Sequence, residues 1–154
     1  FVILMEISII ISIILTVIDQ VIKIFIDKNV LFWEAIPGFF NIHKVYNYGV
    51  AFSFLENRRY LVLLVSFVLI FFLMKMQKEL PKENKYAILF GVIYGGILGN
   101  LIDRIFRGYV IDYLEVFIFK YGFPIFNLAD ICITLGIIIL LFLMMGDKND
   151  SRRK

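Results

Sequence analysis

Two aspartates, Asp112 and Asp130, lie in short polar islands of a chain that is otherwise rich in apolar residues. The islands read Gly-Tyr-Val-Ile-Asp-Tyr (108–113) and Phe-Asn-Leu-Ala-Asp (126–130). A carboxylate near a bilayer is costly unless it is paired or hydrated, so an acid kept there is a candidate functional group. Two carboxylates sharing one site cannot both ionise freely. One keeps a proton while the other acts as a base, which is the machinery of aspartic proteolysis. Other hydrolytic chemistries lack their signatures. There is no His-Glu-x-x-His, and the single histidine, His43, reads as an interfacial polar residue rather than a zinc ligand. No Gly-x-Ser-x-Gly is present. The lone cysteine, Cys132, lies in an apolar run and reads as a small packed residue. No metal or other cofactor is expected.

Further polar residues lie close to, or within, apolar stretches. Asp19 and Lys23 are four apart and share a helix face, where they can pair with each other or with a neighbouring helix. Gly91, Gly95 and Gly99 repeat every four residues and offer a smooth face for close helix approach, within the chain in preference to between chains. Gly96, Asn100 and Asp103/Arg104 form a neighbouring face that turns polar toward one end. Asn100 and Arg104 are candidates to bind a peptide backbone or a lipid headgroup, or else to hold the bundle by hydrogen bonds. Asp130 precedes a long apolar run, where a helix dipole would favour an acid. Asp112 has no such structural explanation.

The elements that must position these residues follow from composition. Of 154 residues, 61% are hydrophobic, and the mean hydropathy is +0.88. A water-soluble domain of this length could not hide so much apolar surface, so the solvent is lipid. Four spans are expected, near 7–26, 60–76, 86–102 and 128–146, each close to the ~20 residues that cross a bilayer as a helix. The first lacks a basic start and a small-x-small cleavage pattern, so it reads as a retained anchor. The net charge of +3 comes from loops and does not form the aromatic-interleaved basic stripe of a nucleic-acid binder.

Orientation follows from lysine and arginine in short loops. Lys75, Lys78, Lys82 and Lys85 flank the connection between spans two and three, and Lys148, Arg152, Arg153 and Lys154 fill the tail. That side is expected to be cytoplasmic, together with both termini. Segments 27–59 and 103–123 then face outward, with Asp112 and Asp130 at similar depth. The first outer segment carries Phe32, Trp33, Phe39, Phe40, Tyr46, Tyr48, Phe52 and Phe54 among polar residues. Its rough alternation over 39–51, with Gly49, predicts short strands and a turn. The expected architecture is an all-α polytopic membrane protein, a single domain over 1–154, with a small β-rich element near 30–58 on the outer membrane surface.

Five stretches occur in one order: Asp19-Gln20-x-x-Lys23, Val45-Tyr46-Asn47-Tyr48-Gly49-Val50-Ala51-Phe52, Gly95-Gly96-x-x-Gly99-Asn100-x-x-Asp103-Arg104, Gly108-Tyr109-Val110-x-Asp112 and Phe126-Asn127-x-Ala129-Asp130. Together they resemble the bacterial lipoprotein signal peptidase (signal peptidase II) family over roughly residues 7–146. The resemblance implies an intramembrane aspartyl endopeptidase of the cytoplasmic membrane. Such an enzyme removes signal peptides from prolipoproteins by cutting before a cysteine that carries diacylglycerol. It implies that Asp112 and Asp130 are the catalytic pair. Asn47, Gly49, Asn100, Arg104 and Asn127 would line the site, and Asp19, Lys23 and Asp103 would serve structure. Its partners would be the lipidated prolipoprotein and membrane lipid, with no nucleic acid, and the enzyme would act as a monomer.

Two other classes remain for comparison. A small ion- or proton-coupled transporter could use Asp19, Lys23 and the later acids as a relay. However, no internal repeat is visible, and Asp112 and Asp130 are expected near one interface and not at the midplane. A non-enzymatic scaffold would use the aspartates only to cap helices, and it predicts that Asp→Asn changes alter stability alone.

Overall fold

The computed structural model describes residues 2–49, 59–119 and 121–150. Four helices are long and apolar enough to cross a membrane: α1 (Val2–Asn29), α2 (Arg59–Glu79), α3 (Asn84–Phe106) and α4 (Leu128–Asp150). Between them lie β1 (Phe32–Ile36), β2 (Phe40–Asn47), β3 (Val110–Ile118) and β4 (Tyr121–Gly122). Each helix extends beyond the apolar run that predicted it, α1, α2 and α3 at both ends.

α1 is built inside out. The buried positions of α1 are Ser8, Ser12, Thr16, Asp19, Lys23 and Ile26, while Ile9, Ile10, Ile13, Ile14, Val17 and Val21 are exposed. Spacings of three and four put the polar stripe on one face. That face meets protein and the apolar remainder is left for lipid, where no hydrophobic force separates helix from solvent. α3 is the central helix. Of its apolar stretch 67% is buried, against 17%, 11% and 22% for α1, α2 and α4.

Glycine lets α3 take two close neighbours. A Cβ on Gly91 would stand 2.8 Å from the Ser8 carbonyl oxygen of α1, and one on Gly99 would stand 2.5 Å from Asp19 Oδ2. A Cβ on Gly96, on the adjoining face, would meet the Ala129 carbonyl oxygen of α4 at 2.5 Å. The glycine face read from the sequence therefore packs within the chain. Leu73 of α2 joins Tyr86, Phe90, Ile93 and Ile97 of α3 and Leu140 of α4 in the main apolar core.

The sheet is larger than the sequence suggested. It is an antiparallel sheet in the order β1-β2-β3-β4, and it draws on both connecting segments, not on 30–58 alone. The turn between the first two strands falls at Gly38, with φ +70°, and not at Gly49. Val50, Ala51, Phe52 and Phe54, which the sequence reading included in the first outer element, lie outside the described residues.

At the end of α3, Gly108 takes φ +86°, and its amide and that of Arg107 both donate to the Asp103 carbonyl. A residue without Cβ closes the helix there and turns the chain back into β3. Ile111 and Tyr113 of β3 pack on Ile26 at the end of α1, which seats the sheet on the bundle. The opposite end of the molecule gathers the start of α1, the α2–α3 connection and the end of α4. There Gln77 Nε2 donates to Ser8 Oγ at 2.7 Å and the Tyr86 hydroxyl to Asp147 Oδ2 at 2.5 Å.

Candidate active site

Asp112 and Asp130 reach the same place from different elements. Asp112 is in β3, where it pairs in register with Val45 of β2. A bulge between Ile42 and Val45 shifts that register. It brings Asn47 diagonally beside Asp112 on one face, and Asn47 Nδ2 donates to Asp112 Oδ2 at 2.9 Å. The other edge of β3, which pairs with β4 farther along, bridges to Phe126 at Leu114. Leu114 N donates to the Phe126 carbonyl at 2.8 Å and Phe126 N to the Leu114 carbonyl at 3.1 Å. That bridge delivers the next residues, Asn127 to Asp130, to the side of Asp112.

Asn127 and Asp130 then form a reciprocal cap on α4. Asp130 N donates to Asn127 Oδ1 at 3.0 Å, and Asn127 N donates to Asp130 Oδ2 at 3.1 Å. This is the capping-box geometry with an aspartate in the third helical position. Asn127 also bridges the two acids, because its Nδ2 donates to Asp112 Oδ1 at 2.6 Å. Asn100 of α3 completes the set by donating from Nδ2 to Asp130 Oδ1 at 2.8 Å. Both carboxylates thus accept two N–H donors each. Asp112 is 3% exposed. Burial pushes its pKa up from 3.8 to about 6, opposed by the Asn47 and Asn127 hydrogen bonds and reinforced by the nearby Asp130 charge.

A cavity of about 730 Å³ opens on this pair. Asn47, Gly49, Asn100 and Arg104 line its polar end with the two acids, and Val62, Val65, Ser66 and Leu69 of α2 wall its apolar arm against Ile97, Ile133 and Thr134. Arg104 donates to the Gly49 carbonyl at 3.2 Å and to the Asn100 carbonyl at 3.3 Å. Every residue anticipated for the site therefore borders the cavity or bonds to an acid that does. Asp19, Lys23 and Asp103 stand apart from the cavity as a buried ionic group: Lys23 Nζ is 2.8 Å from Asp19 and 3.0 Å from Asp103. Arg107 joins this group through Asp103 and through Gln20 Oε1, at 2.9 Å.

The sequence reading missed the α2 wall, because a groove-facing valine and a lipid-facing one are the same residue. It also passed over Tyr113, whose hydroxyl accepts from Leu128 N at 3.3 Å at the start of α4. Among the described residues no cluster of three His, Cys, Asp or Glu side chains could hold a metal ion. The arrangement offers one buried and one half-buried carboxylate, fixed amide donors and an apolar groove, which together suit proton transfer on an extended apolar substrate.

A family model described as signal peptidase (SPase) II matches residues 11–146. A lipoprotein signal peptidase of Halalkalibacterium halodurans is 34% identical over 151 residues, covering 94% of this chain and 96% of that protein. A bacterial membrane enzyme solved by the in meso method at 2.3 Å resolution superposes with a TM-score of 0.82 at 30% identity, covering 96% of this chain and 92% of its own. Another, solved in the same way at 1.9 Å, gives 0.76 at 31% identity, covering 91% and 93%. Matched along nearly its whole length in both sequence and fold, the chain belongs to the signal peptidase II family.

Proposed function

We propose that this protein is an aspartic endopeptidase of the bacterial cytoplasmic membrane. In this reading it removes the signal peptide from diacylglyceryl-modified prolipoproteins by cutting before the lipidated cysteine. Asp112 and Asp130 are its catalytic pair. The observation that carries the reading is the bridging by buried Asn127 of the two acids that line a groove with an apolar arm.

Burial raises the pKa of Asp112 to about 6, and in the proposed mechanism Asp112 carries the proton of the pair while Asp130 acts as the base. Substrate entering the groove displaces water and favours the protonated Asp112 further. Asp130 takes a proton from water as the oxygen attacks the scissile carbonyl carbon, and Asp112 protonates the carbonyl oxygen. Collapse of the tetrahedral diol breaks the C–N bond. The proton gained by Asp130 passes to the leaving amine, and Asp112 recovers its own. General acid–base help of this kind contributes ~10²–10⁴-fold, with positioning supplying more. Arg104 holds peptide carbonyls or the glycerol region of the lipid from the polar wall of the groove. Placement of the acids beside a sheet at one end of the bundle, and not midway along it, favours interfacial hydrolysis over a transport relay.

The test is cleavage of a purified diacylglyceryl-modified prolipoprotein. Asp112→Asn and Asp130→Asn, each folded by thermal unfolding in detergent, are expected to lose activity by several orders of magnitude. A folded variant that cuts near the wild-type rate would remove that aspartate from the mechanism. Arg104→Ala is expected to raise KM more than it lowers kcat, and an unchanged KM would sink the role given to it.

A further inference from the structure

Lys23 is fully buried in α1, and its ammonium has no bond to spare. Its three N–H donors meet Asp19 Oδ2 at 2.8 Å, Asp103 Oδ2 at 3.0 Å and Asn100 Oδ1 at 3.0 Å. Each partner then reaches toward the catalytic pair. Asp19 Oδ1 accepts from Ala129 N at 3.2 Å, one residue before Asp130. Asp103 Oδ2 accepts from Ile111 N at 3.2 Å, one residue before Asp112. Asn100 Oδ1 faces Lys23 and Asn127 Nδ2, which leaves its own Nδ2 turned to Asp130.

We infer that Lys23, Asp19 and Asp103 form a positioning device that sets the separation and orientation of the two catalytic carboxylates, beyond any contribution to stability. The inference rests on the proposed roles of Asp112 and Asp130. Stability alone gives little reason for this design, because a buried ion group is often no more stabilising than well-packed apolar residues. Its particular contacts do give one. Besides its bonds to Gln20 and Arg107, the group bonds to the backbone before each acid and to the amide that donates to Asp130. Without Lys23 only Asn127 Nδ2 holds the Asn100 oxygen in place, and an amide that turned over would present its oxygen to Asp130 and leave two acceptors face to face.

The experiment separates positioning from folding. The double variant Asp19→Asn with Lys23→Met keeps the group electrically balanced, and the new amide oxygen still accepts from Ala129 N. Asp19→Asn alone is the second variant. It leaves one oxygen to serve both Ala129 N and Lys23. Thr16→Val serves as the reference, because it removes a buried hydrogen bond from α1 to the Gly95 carbonyl of α3 without touching the acids. Asp112→Asn is run beside them, and kcat and KM are measured per folded molecule. Positioning predicts that Thr16→Val loses stability but keeps kcat. It also predicts that the double variant, or Asp19→Asn where the double variant does not fold, loses kcat about tenfold or more with KM within about twofold. A folded double variant with the kcat of Thr16→Val would overturn the inference. So would failure of both Asp19 variants to fold, since the group would then serve folding alone. Residual cleavage by Asp112→Asn would instead bring down the assignment of the acids.

Discussion

At the scale of single residues, the site combines two demands that oppose each other: carboxylates must be dry enough to hold a proton and bonded firmly enough to stay in place. Asp112 meets the first demand at a cost in stability. Its pKa rises from 3.8 to about 6, chiefly through burial. The folded protein therefore binds this proton more tightly than the unfolded chain does. The resulting stabilisation is complete below pH 3.8 and is lost as pH rises to about 6. The change amounts to roughly 3 kcal/mol for a shift of this size. Asp112→Asn is expected to remove that decline, so the variant should unfold at a higher temperature than wild type at pH 7 while cutting nothing. Thermal unfolding in detergent at pH 4.5 and pH 7 checks it, and an identical pH dependence in the two proteins would refute it. Such a stabilised, inactive variant is the usual sign of a strained functional group.

At the scale of elements, the three- and four-residue spacing of helices made part of the arrangement readable in advance. Asp19 with Lys23, and Gly91 with Gly95 and Gly99, follow that spacing, and in the structure they do face one helix neighbour. β3 left no comparable trace. Its sequence, Val110 to Ile118, is nearly continuous apolar residues, and its first four are buried whichever face they point to, so it lacks the alternation that marks a half-exposed strand. The bridge through Phe126 is one residue long and has no pattern at all. Hence the sequence placed both acids on one side without indicating that a strand and a helix cap bring them together. The α3–α4 contact offers a direct test of that convergence. Gly96→Ala would drive a methyl group into the Ala129 carbonyl oxygen, 2.5 Å away, and into Ile133 and Cys132. Overpacking of this kind costs about 1–3 kcal/mol, and it displaces the turn that carries Asp130. The variant is expected to unfold at lower temperature and to lose kcat more than about tenfold. Gly91→Ala, at the far end of α3, should lose comparable stability with a smaller effect on kcat. Equal kcat losses in the two variants would count against a local effect on Asp130.

At the scale of the whole molecule, charge and polarity divide the bundle into two unlike ends. One end holds the sheet, the acids and exposed Leu31, Phe32, Trp33, Phe119 and Tyr121. Aromatic side chains of this sort favour the headgroup zone. The other end carries the lysines of the α2–α3 connection. Lysine-rich short loops favour the cytoplasmic side, so the proposed orientation has the proposed catalytic pair at the outer interface, where a secreted precursor still held by its apolar signal segment would present its cleavage site. Single cysteines test this orientation. In a Cys132→Ala background, Leu31→Cys marks the sheet end, where Leu31 is 74% exposed, and Pro81→Cys marks the α2–α3 connection. A membrane-impermeant maleimide added to intact spheroplasts is expected to label Leu31→Cys at once and Pro81→Cys only after the membrane is opened. The reverse pattern would put the acids on the cytoplasmic side, where no translocated precursor could reach them, and the proposed substrate would have to be abandoned even if the aspartate variants were inactive.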